Sequence, residues 1–597
     1  MPRFANFFIV NAFSRISKLF PPFVRNSLLI LIPLSFVISL AEVIGLMTIL
    51  PVIRILLDPE IIISNSVLRW LNELVGSPRP VTFVTILMAG IVVFNIIKTI
   101  VVFWANNYQV KTLYDVAHKL TLTQYQHYLF KPYRFQVLGS TGTALRNIID
   151  IPFAFTGGVL LSIVSSINEL LVAALLVAGI TWYNPLLVGC LLVLVVPFFL
   201  LYGIKSRRML SEISLDKDAG QEEMFRKCKQ AIEGFREILI FNKFNYFLSP
   251  FSSSVKRFAQ SASRLHVLNT FYPKVVELLA VISLFIILLI GLWFNYEITL
   301  LASFLVAFAV AAFRLIPSVN KLILYYNNIK SYNFVFSYFE HKHLSDVKVW
   351  NNVGEQPNED QPAALEFNDQ VRLSNLTFAY DQKKILDSVN LVINQGDIVG
   401  VIGKSGSGKT TFMNLLLGLY QPNGGAIFVD NVELKEQNFK NWHQTISLVP
   451  QNLVMIEGSI LENIVFSPNP ANVDGERLSN ALEMSGLQEF VNSLPHGVHT
   501  RVSESALTIS GGQRQRIAIA RALYHSNRFL LFDEATSSLD KESAAIVIDS
   551  IEKLARQKST IVMVTHQMEL LKHCTRAYQI DKGKIVEIDR KKHYSEA

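Results

Sequence analysis

Two patterns of hydrophobic and polar residues divide the chain. Its first half contains six long apolar stretches, each near the ~20 residues that a helix needs to cross a bilayer. They cover approximately residues 27–51, 81–103, 159–182, 186–201, 275–294 and 298–316. From about Leu365 onward, short apolar runs alternate with helical patterns, which is typical of an α/β domain. We therefore expect a polytopic α-helical membrane domain with six transmembrane helices, followed by an α/β domain.

The polar segments between the stretches predict how the chain is threaded. Cations flank the first span, which places the N-terminus on the cytoplasmic side, and six spans return the chain to that side. The long polar segments 104–158 and 202–274 are helical in pattern, so they predict membrane helices that continue into the cytoplasm. On the outer side, residues 61–74 suit either a short amphipathic helix on the membrane surface or a solvated loop.

The two ends of the membrane domain have distinctive compositions. Residues 1–25 alternate aromatic and cationic side chains and lack the apolar core of a secretory signal, which predicts an interfacial helix. Residues 331–364 end in a polar, proline-containing run, which predicts a linker. The expected divisions are an interfacial helix at 1–25, a membrane domain at 26–330, a linker at 331–364 and the α/β domain at 365–597.

Composition agrees with a chain that lies partly in a membrane. Of the 597 residues, 51% are hydrophobic and 17% are charged, below the quarter that is usual in soluble proteins. The net charge is +8, but the cations gather beside apolar segments and form no single basic face. We therefore expect membrane lipids as partners and no nucleic acid.

A glycine-rich turn follows the apolar run 398–402 and precedes a predicted helix. Its G-x4-G-K-T spacing is that of a P-loop, in which backbone amides and a helix N-terminus surround phosphates. Lys409 would reach the β- and γ-phosphates, and Thr410 would offer its hydroxyl to Mg²⁺. We predict ATP and Mg²⁺ as cofactors, with the nucleotide held by Gly403, Lys404, Ser405, Gly406, Ser407, Gly408, Lys409, Thr410 and Thr411.

A second apolar run, 529–532, ends in two acidic residues. At the edge of a buried sheet, Asp533 can hold Mg²⁺ and Glu534 can polarise the water that attacks the γ-phosphate. An acidic pair alone also suits a solvated strand end. Its combination with the P-loop favours the catalytic interpretation.

Between these two motifs lies a stretch that resembles the signature of the ATP-binding cassette (ABC) family, Ile509, Ser510, Gly511, Gly512, Gln513, Arg514, Gln515 and Arg516. Other residues that the family places around the nucleotide follow in the family's order. They are Tyr380 against adenine, Gln451 in the Q-loop as a further Mg²⁺ contact, Ser538, Leu539 and Asp540 in the D-loop, and His566 as the switch histidine. The resemblance implies an ATPase coupled to transport, with Glu534 and His566 in catalytic roles.

The resemblance also implies a dimer. In the family, ATP lies between the P-loop of one copy and the signature of another, here Ser510, Gly511, Gly512 and Gln513. One membrane domain and one cassette make a half-transporter, and the domain order looks like that of the exporters. Because no catalytic position is degenerate, a homodimer is favoured, and a heterodimer stays open.

In the exporters, bends in the cytoplasmic extensions dock on the cassettes. Here these bends are expected near 131–150, which includes Gly142, and near 237–247. One pattern departs from the family, because the Gly-Glu-x-Gly that precedes the signature is replaced by Ser503, Glu504, Ser505 and Ala506. This departure concerns the coupling between the domains and not ATP binding.

Ionisable residues in the apolar stretches bear on the cargo, since a cation at mid-bilayer costs at least ~2.5 kcal/mol. The acidic ones are Glu42, Glu169 and Glu277, and Lys321 is a candidate for snorkelling to the cytoplasmic interface. A cavity lined by Lys98, Lys274 and Arg314 would attract a phosphate or pyrophosphate head group. Structural pairing within the bundle, such as Lys274 with Glu277, is the alternative interpretation.

Residues 314–321 and 42–46 resemble the corresponding stretches of bacterial flippases for lipid-linked oligosaccharides. That resemblance implies a polyprenyl-pyrophosphate glycan as the cargo, at the inner (plasma) membrane with the cassette in the cytoplasm. Exporters of lipid A-like lipids, drugs or peptides are the alternatives. A function of a different class is an ATP-gated channel or sensor.

Overall fold

The computed structural model describes residues 8–48, 65–76, 79–131, 141–183, 185–293, 298–346, 365–451, 453–467, 473–502, 509–535 and 541–589, with the isolated residues 52, 55, 62 and 133. The chain divides into two compact units. They comprise Met1–Lys131 with Leu138–Glu355, and Pro132–Val137 with Gln356–Ala597. Residues 347–364 of the predicted linker 331–364, the predicted D-loop residues 538–540 and the segment 503–506 lie outside the described residues, as does most of 131–140.

The described part of the first unit is helical. Its helices are α1 Phe8–Leu19, α2 Pro22–Met47, α3 Ser66–Leu74, α4 Pro80–Leu129, α5 Thr141–Leu145, α6 Ile151–Ala154, α7 Leu161–Tyr183, α8 Pro185–Glu233, α9 Phe235–Phe241, α10 Phe244–Trp293, α11 Ile298–Ser331 and α12 Asn333–Asp346. Two π-helical turns, Arg146–Asp150 and Phe155–Leu160, connect α5, α6 and α7. Helices α4, α8 and α10 contain 50, 49 and 50 residues. At ~1.5 Å per residue each is more than twice as long as a ~30 Å hydrocarbon core is thick, so these helices extend well beyond the bilayer.

Four helical segments among the described residues are long and apolar enough to cross a membrane, namely Pro22–Gly45, Val81–Leu129, Thr141–Gly179 and Phe244–Ile286. They contain or overlap the predicted spans one, two, three and five. The predicted spans four and six lie in α8 and α11, where most of the side chains are not described. The helical membrane domain is therefore present as expected.

Two shorter predictions can be compared with the helices. Over residues 66–74 the outer segment is a helix, whose start is capped by the Asn65 side chain accepting from the backbone N–H groups of Val67 and Leu68. The expected bend near 237–247 is also present, because α9 is capped at its C-terminus by Asn242, whose left-handed φ of 52° turns the chain into α10.

Helix α1 packs against protein with its apolar side. Ile16 and Phe20 are buried, and the Phe20 ring stacks on Phe155 with centroids 4.0 Å apart. On the same helix, Arg15 donates to Glu340 at 2.8 Å, and its guanidinium lies 4.3 Å from the Phe336 ring centroid. The segment expected to be an interfacial helix is therefore also joined to α12, a helix that lies within the predicted linker 331–364.

The second unit is built on a six-stranded sheet. The strands of this unit are β1 Gln370–Tyr380, β2 Lys383–Asn394, β3 Ile398–Ile402, β4 Gly424–Val429, β5 Val432–Glu433, β6 Ile446–Val449, β7 Gly458–Ser459, β8 Arg501–Val502, β9 Phe529–Asp533, β10 Thr560–Val564, β11 Arg576–Asp581 and β12 Lys584–Ile588. The six-stranded sheet has the order β12-β11-β3-β10-β9-β6, and the run from β11 to β6 is parallel. Strands β3 and β10 are buried along their whole length, which is why they read as continuous apolar runs.

The remaining elements of this unit surround that sheet. Strands β2-β1-β4-β5 form an antiparallel sheet, and β7 pairs with β8. The principal helices are α13 Lys409–Leu416, α14 Phe439–Trp442, α15 Ile460–Val465, α16 Gly475–Met484, α17 Gln488–Ser493, α18 Gly511–His525 and α19 Lys541–Arg556. Trp442, Phe412 and Phe529 are fully buried between the two larger sheets, so this unit has its own hydrophobic core.

Candidate functional site

Four neighbouring parallel strands bring the predicted nucleotide motifs to one edge of the sheet. The P-loop follows β3, His566 follows β10, Glu534 follows β9 and Gln451 follows β6. Ligands of open α/β sheets bind outside the carboxyl ends of the strands, and this edge is formed by those ends. Motifs that are far apart in sequence therefore meet in space.

The P-loop requires glycine at specific positions. Gly406 and Gly408 have φ values of 77° and 109°, in the left-handed region that side chains disfavour. A Cβ at Gly403 would lie 2.6 Å from the Ser407 Oγ and 2.7 Å from the Ile580 carbonyl oxygen. The loop can therefore turn this tightly into α13 only with glycine at these positions.

The interior of the loop is arranged for an anion. Lys409 is buried, and its ammonium donates to the carbonyl oxygens of Gly403 at 2.7 Å and Lys404 at 3.2 Å. Burial lowers the pKa of Lys409, although the neighbouring Glu534 and Asp533 oppose that shift. The buried Ser407 hydroxyl has no hydrogen-bond partner among the described residues. A bound phosphate would supply both the counter-charge and the missing acceptor, so these residues fit ATP.

Glu534 stands at the end of β9 in an unusual backbone conformation. Its φ is 46°, and its N–H donates to the Val564 carbonyl at 2.9 Å, which ties it to β10. The carboxylate accepts from the Gln451 amide at 2.9 Å, and the His566 Nε2 lies 2.8 Å from its other oxygen. The structure thus brings together Glu534 and His566, which the sequence assigned to catalysis, and Gln451, which it assigned to the Q-loop and Mg²⁺.

The pKa of Asp533, the acidic residue next to Glu534, is shifted by the same surroundings. Burial raises the pKa of Asp533, the adjacent Glu534 raises it further, and Lys409 opposes the shift. A nearby divalent cation would oppose this rise in the pKa of Asp533. Thr410, Gln451 and Asp533 offer hydroxyl, amide and carboxylate oxygens, which are the ligands that Mg²⁺ prefers. The donor set therefore fits Mg²⁺, which would neutralise charge on the phosphates.

Tyr380 lies at the end of β1, where the resemblance places an adenine contact. Its side chain is 42% exposed, and its hydroxyl oxygen is 3.4 Å from the Thr411 Oγ1. Phe378 and Tyr420 pack edge-on against the ring, with centroids 5.0 and 5.7 Å away. The ring is thus held in place by its neighbours and is still partly exposed.

The signature residues form the start of α18. The Ser510 hydroxyl accepts from the Gln513 N–H at 3.2 Å, and the Ser510 N–H donates to the Gln513 side chain at 3.0 Å. This reciprocal pair is a capping box. Ser510 and Gly511 are exposed, and Gly512 is buried. An exposed helix N-terminus is suited to binding an anion.

The three cations predicted for a cargo cavity lie on three different helices. The Nζ of Lys98, on α4, lies 2.8 Å from where a Cβ at Gly45 of α2 would be. Lys274, on α10, forms an exposed ion pair of 2.9 Å with Glu277 of its own helix, as the structural alternative anticipated. Arg314 lies on α11, and its side chain is not described. A cavity shared by the three cations stays a prediction.

Polar contacts that sequence reasoning did not find connect four membrane helices. Gln109 of α4 donates to the Ser35 hydroxyl of α2 at 3.0 Å, and Asn168 of α7 donates to Gln109 at 3.3 Å. The next residue, Glu169, accepts from Ser318 and Lys321 of α11. Lys321, a candidate for snorkelling to the cytoplasmic interface, thus pairs with a carboxylate on another helix. The available signal was the occurrence of these polar residues within apolar stretches.

Comparison with known proteins supports the interpretation of both units. Residues 386–537 match the family described as ABC transporter. The sequence is 35% identical to the chloroplastic ABC transporter B family member 29 of Arabidopsis thaliana, over 37% of this chain and 35% of that protein. It is 26% identical to the ATP-dependent lipid A-core flippase of Pseudomonas aeruginosa, over 81% of this chain and 79% of the flippase.

A third relative is the leukotoxin translocation ATP-binding protein LktB of Bibersteinia trehalosi, 28% identical over 84% of this chain and 69% of LktB. Among solved structures, a bacterial Atm1-family ABC exporter with ATP bound matches with a TM-score of 0.73 and 18% identity. That match covers 95% of this chain and 97% of the exporter. The predicted fold, a helical membrane domain followed by an α/β nucleotide-binding domain, is confirmed.

Proposed function

We propose that this chain, an ABC exporter whose ATPase is coupled to transport, moves an amphipathic lipid with an anionic head group. The cargo we favour is a polyprenyl-pyrophosphate-linked saccharide, flipped across the inner (plasma) membrane with the cassette in the cytoplasm. The assignment of cargo goes beyond the assignment of the ATPase and rests on the membrane unit.

The nucleotide chemistry is assigned to residues at the sheet edge. Glu534 would act as the base for the attacking water, and His566 and Gln451 would hold its carboxylate in position. Lys409 would bind the β- and γ-phosphates from within the loop. An intact set of these residues favours repeated turnover over the single binding event that a gated channel or sensor needs.

We further propose that two copies of the chain act together. The capped N-terminus of α18, with Ser510 and Gly511 exposed, would face the nucleotide on a second copy. This arrangement rests on the family resemblance. A second copy of the same chain is sufficient, because each copy carries both a P-loop and a signature.

The observation that carries the cargo assignment is Lys98. Its ammonium lies beside Gly45 within the membrane unit, and it has no hydrogen-bond or ion-pair partner among the described residues. A cation in a span costs at least ~2.5 kcal/mol unless an anion or water compensates it. An anionic head group that passes between α2 and α4 would supply that compensation.

The relatives support export and differ in their named cargo. The Pseudomonas aeruginosa protein is named as a flippase for lipid A-core, which favours a lipid. The Bibersteinia trehalosi protein is named for leukotoxin translocation, which keeps peptides as an alternative. Lys98 favours the lipid with an anionic head group.

The test is ATP-dependent translocation of a polyprenyl-pyrophosphate glycan in proteoliposomes that contain the purified chain. We expect movement of the glycan to the opposite leaflet, and we expect none with Glu534→Gln as the control. Sustained ATP hydrolysis without movement of the glycan would contradict the proposed cargo. The same vesicles loaded with lipid A or a peptide would then identify the alternative.

A further inference from the structure

The carboxylate of Glu169 is buried inside the membrane unit and holds two residues of another helix. Only 8% of its side chain is exposed. It accepts from the Ser318 hydroxyl at 2.7 Å and from the Lys321 ammonium at 2.5 Å. Ser318 and Lys321 are three residues apart on α11, so both donors lie on the same face of that helix.

Burial makes this ion pair costly. Glu169 lies within the predicted third span, and Lys321 lies five residues past the predicted end of the sixth span at 316. Charges buried in a membrane domain are rare, and they face the bundle interior or a water-filled cavity. The side chain of Lys321 is 46% exposed and that of Glu169 only 8%, so the ammonium is nearer the surface of the unit than the carboxylate is.

We propose that Glu169 sets the charge that the membrane domain presents to its cargo, because its carboxylate neutralises Lys321. This inference rests on the proposed anionic lipid. With Glu169 in place, Lys321 contributes hydrogen-bond donors but little net positive charge. The affinity for an anionic head group is then kept moderate, which favours release after translocation.

A second ion pair in the same unit provides a matched comparison. Lys274 and Glu277 also pair at 2.9 Å, but their side chains are 69% and 47% exposed and both lie on α10. Exposed pairs are screened and contribute little. Loss of Glu277 should therefore change the local field much less than loss of Glu169.

The experiment measures the apparent Kd of two lipids for the purified protein in nanodiscs. The probes are a polyprenyl pyrophosphate and the neutral polyprenol of the same chain length. In Glu169→Gln we expect the Kd of the pyrophosphate to fall at least about tenfold and that of the polyprenol to change less than about twofold. The double variant with Lys321→Gln should return both values to about those of the wild type.

Three further variants separate charge from packing. Lys321→Gln alone leaves the carboxylate unpaired, so the pyrophosphate should bind at least about tenfold more weakly, a change of opposite sign. Ser318→Ala removes a hydrogen bond without removing charge, so the thermal midpoint should fall while both Kd values stay. Glu277→Gln should alter the pyrophosphate Kd by less than about threefold.

The outcomes distinguish this inference from the proposed cargo. If the wild type prefers the pyrophosphate but Glu169→Gln leaves that preference unchanged or weakens it, the inference is overturned and the cargo stands. Equal gains for both lipids in Glu169→Gln would mean a packing effect and would also overturn it. If the wild type binds both lipids equally well, the anionic cargo is wrong, and this inference fails with it.

Discussion

Glu534 in the nucleotide-binding unit and Glu169 in the membrane unit are two carboxylates that each accept from two side chains, yet their partners differ. Glu534 accepts from an amide and lies against an imidazole, and both partners follow strands of the same sheet. Glu169 accepts from a hydroxyl and an ammonium on one helix. An amide orients a carboxylate and leaves its charge available, whereas an ammonium neutralises it. The same side chain is thus suited to act as a base in one unit and as a counter-ion in the other.

The largest expected effect tests whether Glu534 acts as a base in the nucleotide-binding unit. Glu534→Gln keeps the side-chain shape but removes the basic carboxylate, so we expect ATP turnover to fall by at least about 100-fold while ATP binding is retained. Steady-state hydrolysis and nucleotide binding by the purified protein measure the two quantities. Glu552→Gln is the control, because Glu552 bonds His573 elsewhere in the same unit. Brisk hydrolysis by Glu534→Gln would exclude Glu534 as the base.

An intermediate effect tests how tightly the helices of the membrane unit pack around Gly158. A Cβ at Gly158 would lie 2.4 Å from the Tyr332 ring, which also has the Lys217 ammonium 3.8 Å from its centroid. Gly158→Ala should therefore destabilise the unit by about 1–3 kcal/mol, measured as a lower thermal midpoint in detergent. The neighbouring Gly157 has no atom within 4 Å of its added Cβ, so Gly157→Ala is the matched control. Equal midpoints for the two variants would show that the ring moves aside.

The smallest expected effect concerns the cations of the membrane unit that are predicted to attract an anionic cargo. Lys98→Ala combined with Arg314→Ala should reduce transport of an anionic lipid about tenfold and leave basal ATP hydrolysis nearly unchanged. Lys274→Ala should have a smaller effect, because Glu277 already compensates that charge. Transport assays in proteoliposomes compare these variants. Unchanged transport by the double variant would indicate that Lys98 and Arg314 do not bind the cargo.

The nucleotide site could be predicted from the sequence because its determinants are local. A P-loop needs a strand, a glycine-rich turn and a helix within a short stretch, and residues 398–416 contain all three. Asp533 and Glu534 end a buried strand in the same way. Strands in a parallel sheet share one edge, so motifs recognised one at a time were expected to meet.

The polar contacts of the membrane unit could not be predicted in this way. Glu169 and Lys321 are 152 positions apart, and their pairing depends on which faces of α7 and α11 pack together. The hydrophobic pattern gave no such information, because spans inside a bundle are apolar on most faces. The adjacent residues Asn168 and Glu169 bond toward different helices, since neighbours on a helix point about 100° apart.

The register of the parallel strands limits how cassettes of this kind can diverge. Val564 of β10 pairs with Val401 of β3 on one side and with Asp533 of β9 on the other. Deleting one residue from β10 would move His566 by ~3.3 Å and would turn the strand's buried side chains to the opposite face. We therefore expect evolution to exchange apolar side chains of similar volume within these strands while accepting insertions and deletions only in the loops between them. The spacing between each motif and its strand should therefore be conserved more strongly than the sequence of the strand.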